Sequence, residues 1–340
     1  MDKYIFWGAG DVGKKCYDEF EKYRSKTGDE LIFFVDNDSS KWGQIYCGVP
    51  VLAPFEIMNI DYDYLVISCL KYDEIFKQIV EMNICDKCFI KTSPIYTEEL
   101  IYTKEQYHKR YNETINCKEN ELIEDIIVYT AIIGGYDLLK EPEYVSPHIK
   151  YVCFTDNKTL KSNTWEIRYI EDETLSNVKL ARKIKILPYE FLNNEESKIV
   201  VWVDGKCQIK SDLRAYIRKY QKNKGMLCFP HMFRDCILDE VIELSIIKPE
   251  QKRESFIQLG KYLEEGIPFN NGLYETSCIV RDMEDVMIKK LMYQWWEEVN
   301  AFSYRDQISL PYIFWKNGYK PDICDMNVEK NAWLEKTEHL

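Results

Sequence analysis

Short apolar runs with little polar alternation recur along the chain: Tyr4–Trp7, Leu31–Val35, Tyr64–Ser68, Ile126–Ile132, Tyr151–Phe154, Ile199–Val203, Met226–Phe229 and Ser277–Arg281. Runs of this kind, rich in β-branched and aromatic side chains, read as strands buried on both faces, the usual state inside a parallel sheet. Residues 12–25 read as a helix. So does Met283–Val299, where Met283, Val286, Met287, Leu291, Trp295 and Val299 form a stripe of period 3.6 that serves core packing. Residues 96–124 are polar and charge-rich and read as a partly helical linker. The expected organisation is therefore α/β, with one domain over residues 1–95 and a second over 125–330. The first is expected to be Rossmann-like, with a parallel sheet of the dinucleotide-binding type.

The Ile199–Val203 run ends abruptly in Asp204-Gly205. A carboxylate at the C-terminal end of a central strand lies where open α/β sheets bind their ligands. Such a group is a candidate to hold Mg²⁺ or Mn²⁺ against a diphosphate. Tyr129-Thr130-Ala131-Ile132 runs into Gly134-Gly135-Tyr136-Asp137, and Tyr151–Phe154 runs into Thr155-Asp156. Three such ends on one sheet edge would form one nucleotide cleft, with Thr130, Asp156, Asp204 and Gly205 on its wall.

Composition narrows the partners. The length of 340 residues suits two cores, and 46% apolar residues suffice to fill them. A net charge of −12 argues against nucleic acid, which needs concentrated Lys and Arg. No apolar stretch is long enough to span a bilayer. The twelve cysteines are scattered, and the chain opens Met1-Asp2-Lys3 directly into a strand, so free thiols in a cytoplasmic protein are expected. Cys85 and Cys88 form a lone CxxC, a weak zinc signal.

In the first domain a strand leads into Gly8-Ala9-Gly10-Asp11-Val12-Gly13, then a helix, then a strand ending in Asp36. That order is the context a GxGxxG turn needs, with Gly8, Gly10 and Gly13 shaping a phosphate-binding turn and Asp36 placed for a ribose hydroxyl. Phe34-Val35-Asp36-Asn37-Asp38 and Gly48-Val49-Pro50-Val51 resemble the small N-terminal Rossmann domain of sugar acetyltransferases and related capsule-biosynthesis proteins, over residues 3–95. The resemblance implies nucleotide-sugar binding or a scaffold and no hydride chemistry, so NAD is not expected.

Tyr129–Asp137, Phe154-Thr155-Asp156, Trp202-Val203-Asp204-Gly205, His231-Met232-Phe233-Arg234-Asp235-Cys236 and Arg305-Asp306-Gln307 occur in order. They resemble the glycosyltransferase-like domain typified by plant mucilage-related hexosyltransferases, over residues 125–325. The resemblance implies a Rossmann-like, GT-A-like mixed sheet with a nucleotide-sugar donor at the strand C-termini.

Within that frame Asp204 and His231 are the candidate metal ligands, although Lys206 stands where an Asp-x-Asp motif has its second acid. A metal-independent site with Lys206 on the diphosphate is the alternative. Arg234 is a candidate bidentate donor to leaving-group charge. Arg182, Lys183 and Lys185 precede the Asp204 strand and are candidates to cradle the donor diphosphate, with a solvated helix face as the alternative; at helical spacing Arg182 and Lys185 share a face while Lys183 lies on another. Asp306 resembles the Asp of the Asp-Gln pair in glycogenin-like transferases, to accept a proton or hold donor hydroxyls, with Arg305 and Gln307 beside it. Pro311 soon after fits a helix first turn, so Asp306 or Ser309 as a plain N-cap is the competing reading. Glu275, at the edge of the Asn270–Thr276 turn, is a candidate for acceptor recognition or for a second catalytic carboxylate, with a solvated loop Glu as the competing reading.

These readings converge on a transferase that moves a sugar from a nucleotide-diphosphate donor, with a divalent cation, to a glycan or lipid-linked acceptor in surface polysaccharide synthesis. Such an enzyme would work peripherally to membrane-bound machinery. The rivals are a nucleotide-dependent oxidoreductase or epimerase run by the first domain, and a non-catalytic nucleotide-sugar-binding protein. Donor, linkage and oligomeric state are not legible in the residues.

Overall fold

The computed structural model describes residues 2–69, 72–84, 89–92, 126–195, 197–223, 225–231, 234–268, 270–324, 326, 328 and 330–337. The Cys85/Cys88 pair and the 96–124 linker lie outside them. The chain divides into two compact units, Met1–Tyr107 with Cys236–Asn270, and His108–Asp235 with Asn271–Leu340.

In the first unit β1 (Lys3–Trp7) passes through the glycine turn into α1 (Asp11–Thr27) and β2 (Glu30–Val35). Then come β3 (Ile45–Tyr46), β4 (Val49–Leu52), β5 (Tyr64–Ile67), α2 (Tyr72–Glu81) and β6 (Phe89–Thr92). The sheet order is β3-β4-β2-β1-β5-β6, parallel but for the β3–β4 edge, a Rossmann-like arrangement. Helix α1 stops at Gly28, whose left-handed backbone lets its N–H return to the Arg24 carbonyl. The core is aromatic: Tyr4 stacks on Tyr64 at 4.6 Å and tilts against Phe20 at 5.0 Å. Burying each such ring contributes roughly 1.5–3 kcal/mol.

The second unit starts with β7 (Ile126–Ile132), β8 (Ile149–Thr155) and β9 (Glu166–Tyr169). Helices α3 (Asn177–Ile186) and α4 (Pro188–Phe191) lead to β10 (Ile199–Val203), β11 (Cys207–Ile209), α5 (Leu213–Tyr220) and β12 (Met226–Pro230). The chain then leaves for α6 (Ile237–Ile247) and α7 (Lys252–Glu264), which belong to the first unit. There α6 packs on β6 and α7 on α2, where Gly260 lies so close to Val80 that a methyl group would meet it at 3.3 Å. The sequence reading runs the second domain unbroken over 125–330, because local pattern does not say which sheet a helix packs on. The chain returns with β13 (Tyr274–Asp282), α8 (Val286–Ala301), α9 (Asp306–Lys316), β14 (Asp322–Ile323) and β15 (Leu334–Lys336).

The second sheet has the order β14-β12-β13-β10-β7-β8-β9. It is mixed, because β13 runs antiparallel to both β10 and β12 while β7, β8, β9 and β10 are parallel. The Asp204 strand therefore has one parallel and one antiparallel neighbour, where its composition suggests a wholly parallel setting. An all-apolar run reports burial of both faces and not the direction of its neighbours. One face packs Val128, Val201, Val203 and Phe229 against Leu213, Tyr216 and Ile217 of α5. On the other, Tyr129 and Trp202 meet edge-on at 5.2 Å.

Two boundaries differ from expectation. Helix α8 begins at Val286 and not Met283, because the Asp285 carboxylate caps it by accepting the Met287 and Ile288 N–H groups. Strand β13 begins at Tyr274, so Glu275 and Thr276 are strand residues rather than turn residues, on opposite faces of the sheet.

Candidate functional site

Strands β7, β8 and β10 are adjacent and parallel, and end at Ile132, Thr155 and Val203. The polar residues that follow them therefore share one sheet edge, as the sequence predicts. Gly205 is a glycine for a steric reason: a methyl group there would meet Ile132 Cδ1 at 2.6 Å and Asp137 Cβ at 3.2 Å. The Gly134–Asp137 loop thus folds directly over the Asp204-Gly205 turn. Asp156 Oδ2 accepts the Gly134 N–H at 2.9 Å, tying the β8 end to the same loop. Thr130 does not reach this edge. It lies within β7 on the side of Val128 and Ile132, with a buried hydroxyl that has no hydrogen-bond partner among the described residues.

Asp204 extends the β10 face that carries Trp202. Its Oδ1 accepts the Trp202 indole N–H at 2.6 Å and lies 3.4 Å from Lys185 Nζ. Lys185 also reaches Asp306, with Nζ 2.6 Å from Oδ2, and both side chains are at most 2% exposed. Arg182 Nε stands 3.6 Å from the same Oδ2, and the Thr276 hydroxyl donates to Oδ1 at 3.2 Å. The result is a network in which one buried ammonium lies between the buried Asp306 and the half-buried Asp204 carboxylates. Burial pushes Asp204 up, but the Lys185 and Arg182 charges outweigh it and hold the carboxyl below the ordinary range. Asp306 follows the same logic more strongly. Burial opposes ionisation, yet Arg182, Lys185 and Arg305 hold it far below the usual carboxylate value.

Why α3 presents its basic residues this way follows from helical spacing and from its anchors. Arg182 and Lys185 share the face toward Asp306, whereas Lys183, a candidate donor ligand, lies on another and pairs with Glu190 at 3.1 Å. Lys179 Nζ donates to the Asn300 carbonyl at 2.7 Å, fixing α3 beside α8. At the far end the fully buried Arg281 donates to the Ile186 carbonyl at 3.2 Å and to the Tyr129 hydroxyl, which itself donates to the Lys185 carbonyl at 2.7 Å. A guanidinium among the last carbonyls of a helix is favoured by the helix dipole.

Asp306 is the first residue of α9, with Arg305 as N-cap; neither Asp306 nor Ser309 caps the helix, and Pro311 sits inside it. The Asp306 side chain is drawn to Lys185 and Arg182 instead of to its own helix. Gln307 turns away from that network and donates to the Tyr274 carbonyl at 3.2 Å.

A second cluster adjoins the β12–β13 end. Buried His231 accepts the Arg234 backbone N–H on Nδ1 at 3.1 Å, so a neutral ring carries its proton on Nε2. Nε2 lies 3.4 Å from Glu275 Oε1 and 3.3 Å from Arg234 Nη2. Glu275 Oε2 in turn pairs with Lys336 at 3.1 Å. Sequence reasoning did not single out Lys336, Thr276, Trp202 or Arg281. Each acquires its role through contacts distant in sequence or on a face that periodicity cannot orient.

The proposed Asp204–His231 metal pair does not fit a divalent ion. Among the described residues no group of three or more His, Cys, Asp or Glu side chains is placed to hold one. Both His231 nitrogens face existing partners, and Asp204 Oδ1 is already engaged by an N–H and an ammonium. In the first unit, Asp36 Oδ2 accepts the Ala9 N–H at 2.8 Å and Lys41 Nζ at 2.9 Å, so its position beside the glycine turn is stabilised internally. Gly8 brings its own carbonyl so near Gly13 that a methyl group on Gly13 would meet it at 1.9 Å, whereas the space over Gly10 is open. A cavity of about 440 Å³ lies elsewhere, lined by Ile126, His148, Lys150 and Glu195 near the starts of β7 and β8, away from Asp204. No helix among the described residues is long and apolar enough to cross a membrane.

Two family models match successive parts of the chain, the second running through the 236–270 segment that packs with the first unit. Residues 1–90 match the family described as C2185-like, N-terminal, and residues 105–334 match the TOD1/MUCI70 glycosyltransferase-like domain. Among solved structures, UDP-D-quinovosamine 4-dehydrogenase from Vibrio fischeri is similar at 18% identity, over 27% of this chain and 78% of that one, with a TM-score of 0.24. No curated protein matches the chain. Matched over more than half of its length, with the Asp204, His231 and Asp306 elements all inside the match, the chain belongs to the TOD1/MUCI70 glycosyltransferase-like domain family.

Proposed function

We propose that the second unit transfers a hexosyl group from a nucleotide-diphosphate sugar to a glycan or lipid-linked acceptor in surface polysaccharide synthesis. The reaction is placed in the cytoplasm, where buried thiols stay reduced. The observation that carries this reading is the position of Asp204: at the C-terminal edge of β10, between a glycine loop and the cationic face of α3. In the reaction the donor's anomeric C–O bond to the diphosphate breaks, a bond to the acceptor hydroxyl oxygen forms, and the hydroxyl proton passes to the departing diphosphate oxygen. Lys185 holds Asp204 and Asp306 in place, and the partly exposed Arg182 beside them is the cation open to the side where diphosphate charge develops, a fixed geometry that avoids reorganisation during the step. Asp306 is not placed to take the proton, because it is buried with one oxygen on Lys185 and the other on the Thr276 hydroxyl. Its part is to hold Lys185 and Arg182 in register. The first unit acts as a scaffold of the kind found in sugar acetyltransferases and capsule-biosynthesis proteins. Its internally satisfied Asp36 favours that role over dinucleotide chemistry.

The test is a thermal-shift screen of nucleotide sugars followed by a transfer assay on those that bind. A ligand at a hundredfold its Kd adds about 2.7 kcal/mol to folded-state stability, an easily read rise in melting temperature. A chain stabilised by NAD but by no nucleotide sugar would sink the transferase reading.

A further inference from the structure

Lys185 occupies an unusual position. Its ammonium is 1% exposed and lies 2.6 Å from Asp306 Oδ2 and 3.4 Å from Asp204 Oδ1. A hard divalent cation bridging two carboxylates would take the same place between them. The local charge already balances: Asp204 and Asp306 are offset by Lys185 and by Arg182, 3.6 Å from Asp306. The Trp202 ring covers another side of the ammonium, its centroid 5.8 Å from Nζ, and the Thr276 hydroxyl takes the other Asp306 oxygen. A metal ion could enter only by expelling a buried ammonium or by sitting beside it, where two like charges would repel.

We infer that Lys185 is a resident cation standing in for a divalent metal at the Asp204–Asp306 pair, and that the site takes a donor diphosphate without one. The helix anchors give the substitution its rigidity, since Arg281 and Tyr129 hold the Ile186 and Lys185 carbonyls while the side chain reaches the carboxylates. This extends the transferase reading and rests on it only for the consequence in catalysis. The exchange of metal for ammonium is a property of the site itself.

Two measurements on the full chain keep these apart. In the first, Mn²⁺ is titrated and its free concentration followed by electron paramagnetic resonance. Wild-type protein is expected to leave Mn²⁺ free, whereas Lys185→Ala, which vacates the position between the carboxylates, gains Mn²⁺ affinity by at least tenfold. Wild-type binding of Mn²⁺ that Asp204→Asn abolishes would overturn the inference, as would a folded Lys185→Ala chain that still leaves Mn²⁺ free. If that variant does not fold, the wild-type titration with its Asp204→Asn control decides alone. In the second, the melting-temperature rise given by nucleotide sugars is compared in EDTA and in Mn²⁺. Equal rises support the inference, and a rise seen only with Mn²⁺ overturns it while leaving the transferase reading intact. If no nucleotide sugar gives a rise, the transferase reading fails and the Mn²⁺ titration still decides the role of Lys185.

Discussion

Replacing Asp306 with Asn tests whether the buried network is the structural hub of the second unit. Lys185 and Asp306 are separated by 2.6 Å and at most 2% exposed. At an effective dielectric near 20 their gross attraction is about 6 kcal/mol, much of it consumed by desolvating both groups. Removing one partner leaves the desolvation unrecovered, and such losses run to about 3–5 kcal/mol. Lys185 keeps Asp204 at 3.4 Å, which places Asp306→Asn near the lower end, about 3 kcal/mol. For a unit of this size that corresponds to a fall in melting temperature of roughly 6–12 °C. Lys185→Met should lose a similar amount, because it takes from Asp306 its nearest cation and leaves the more distant Arg182 and the Thr276 hydroxyl. The double variant should recover at least about 2 kcal/mol relative to the sum of the singles, the signature of a directly coupled pair. Calorimetry suits the measurement, since two units need not melt together and separate transitions can be resolved. Additive single effects, or an Asp306→Asn melting curve that overlays the wild type, would show that the network does not carry the stability assigned to it.

Three further outcomes follow from the same geometry. Asp204 and Asp306 ionise more readily in the folded protein than in the unfolded chain, so the stability they contribute is present above the ordinary carboxylate value of 3.8 and is lost as pH falls through their folded values. The acid limb of the stability curve should accordingly be shallower in Asp306→Asn, and an unchanged slope in urea melts below pH 4 would count against the assignment. Gly205→Ala forces a methyl group against Ile132 and Asp137 and should cost about 1–3 kcal/mol through overpacking, measured as a drop in melting temperature; a neutral result would mean the loop over β10 is slack. Burial pushes the Cys153 and Cys236 thiols up to about 12, so iodoacetamide at pH 8 should label them only after denaturation, as peptide mass spectrometry would report.

Much of this site was legible before any coordinates. The apolar run before Asp204 announced a buried strand, the Gly205 that follows it announced a turn, and helical spacing alone separated Lys183 from the Arg182–Lys185 face. Those features are local, and local geometry follows from short-range sterics. What could not be read is what depends on partners distant in the chain. Glu275 looked like a turn residue because Gly272 and the two Asn before it are strong turn formers, yet its strand begins at Tyr274, where pairing with Pro230 of β12 takes over. Lys336 lies 61 residues from the Glu275 it pairs with, in a strand of three residues with no pattern of its own. The sharpest case is Arg281. In sequence it is the polar end of an apolar run, and a charged residue there suggests an exposed strand terminus. In the fold it is fully buried and pins the carbonyls of Lys185 and Ile186, one directly and one through Tyr129. A buried guanidinium is tolerated there because the end of α3 offers carbonyl acceptors and a negative dipole, which replace the carboxylate it would otherwise need. The same contact sets where Lys185 can reach, so the charge between Asp204 and Asp306 is positioned by a residue 96 places further along the chain, a dependence that only the assembled sheet contains.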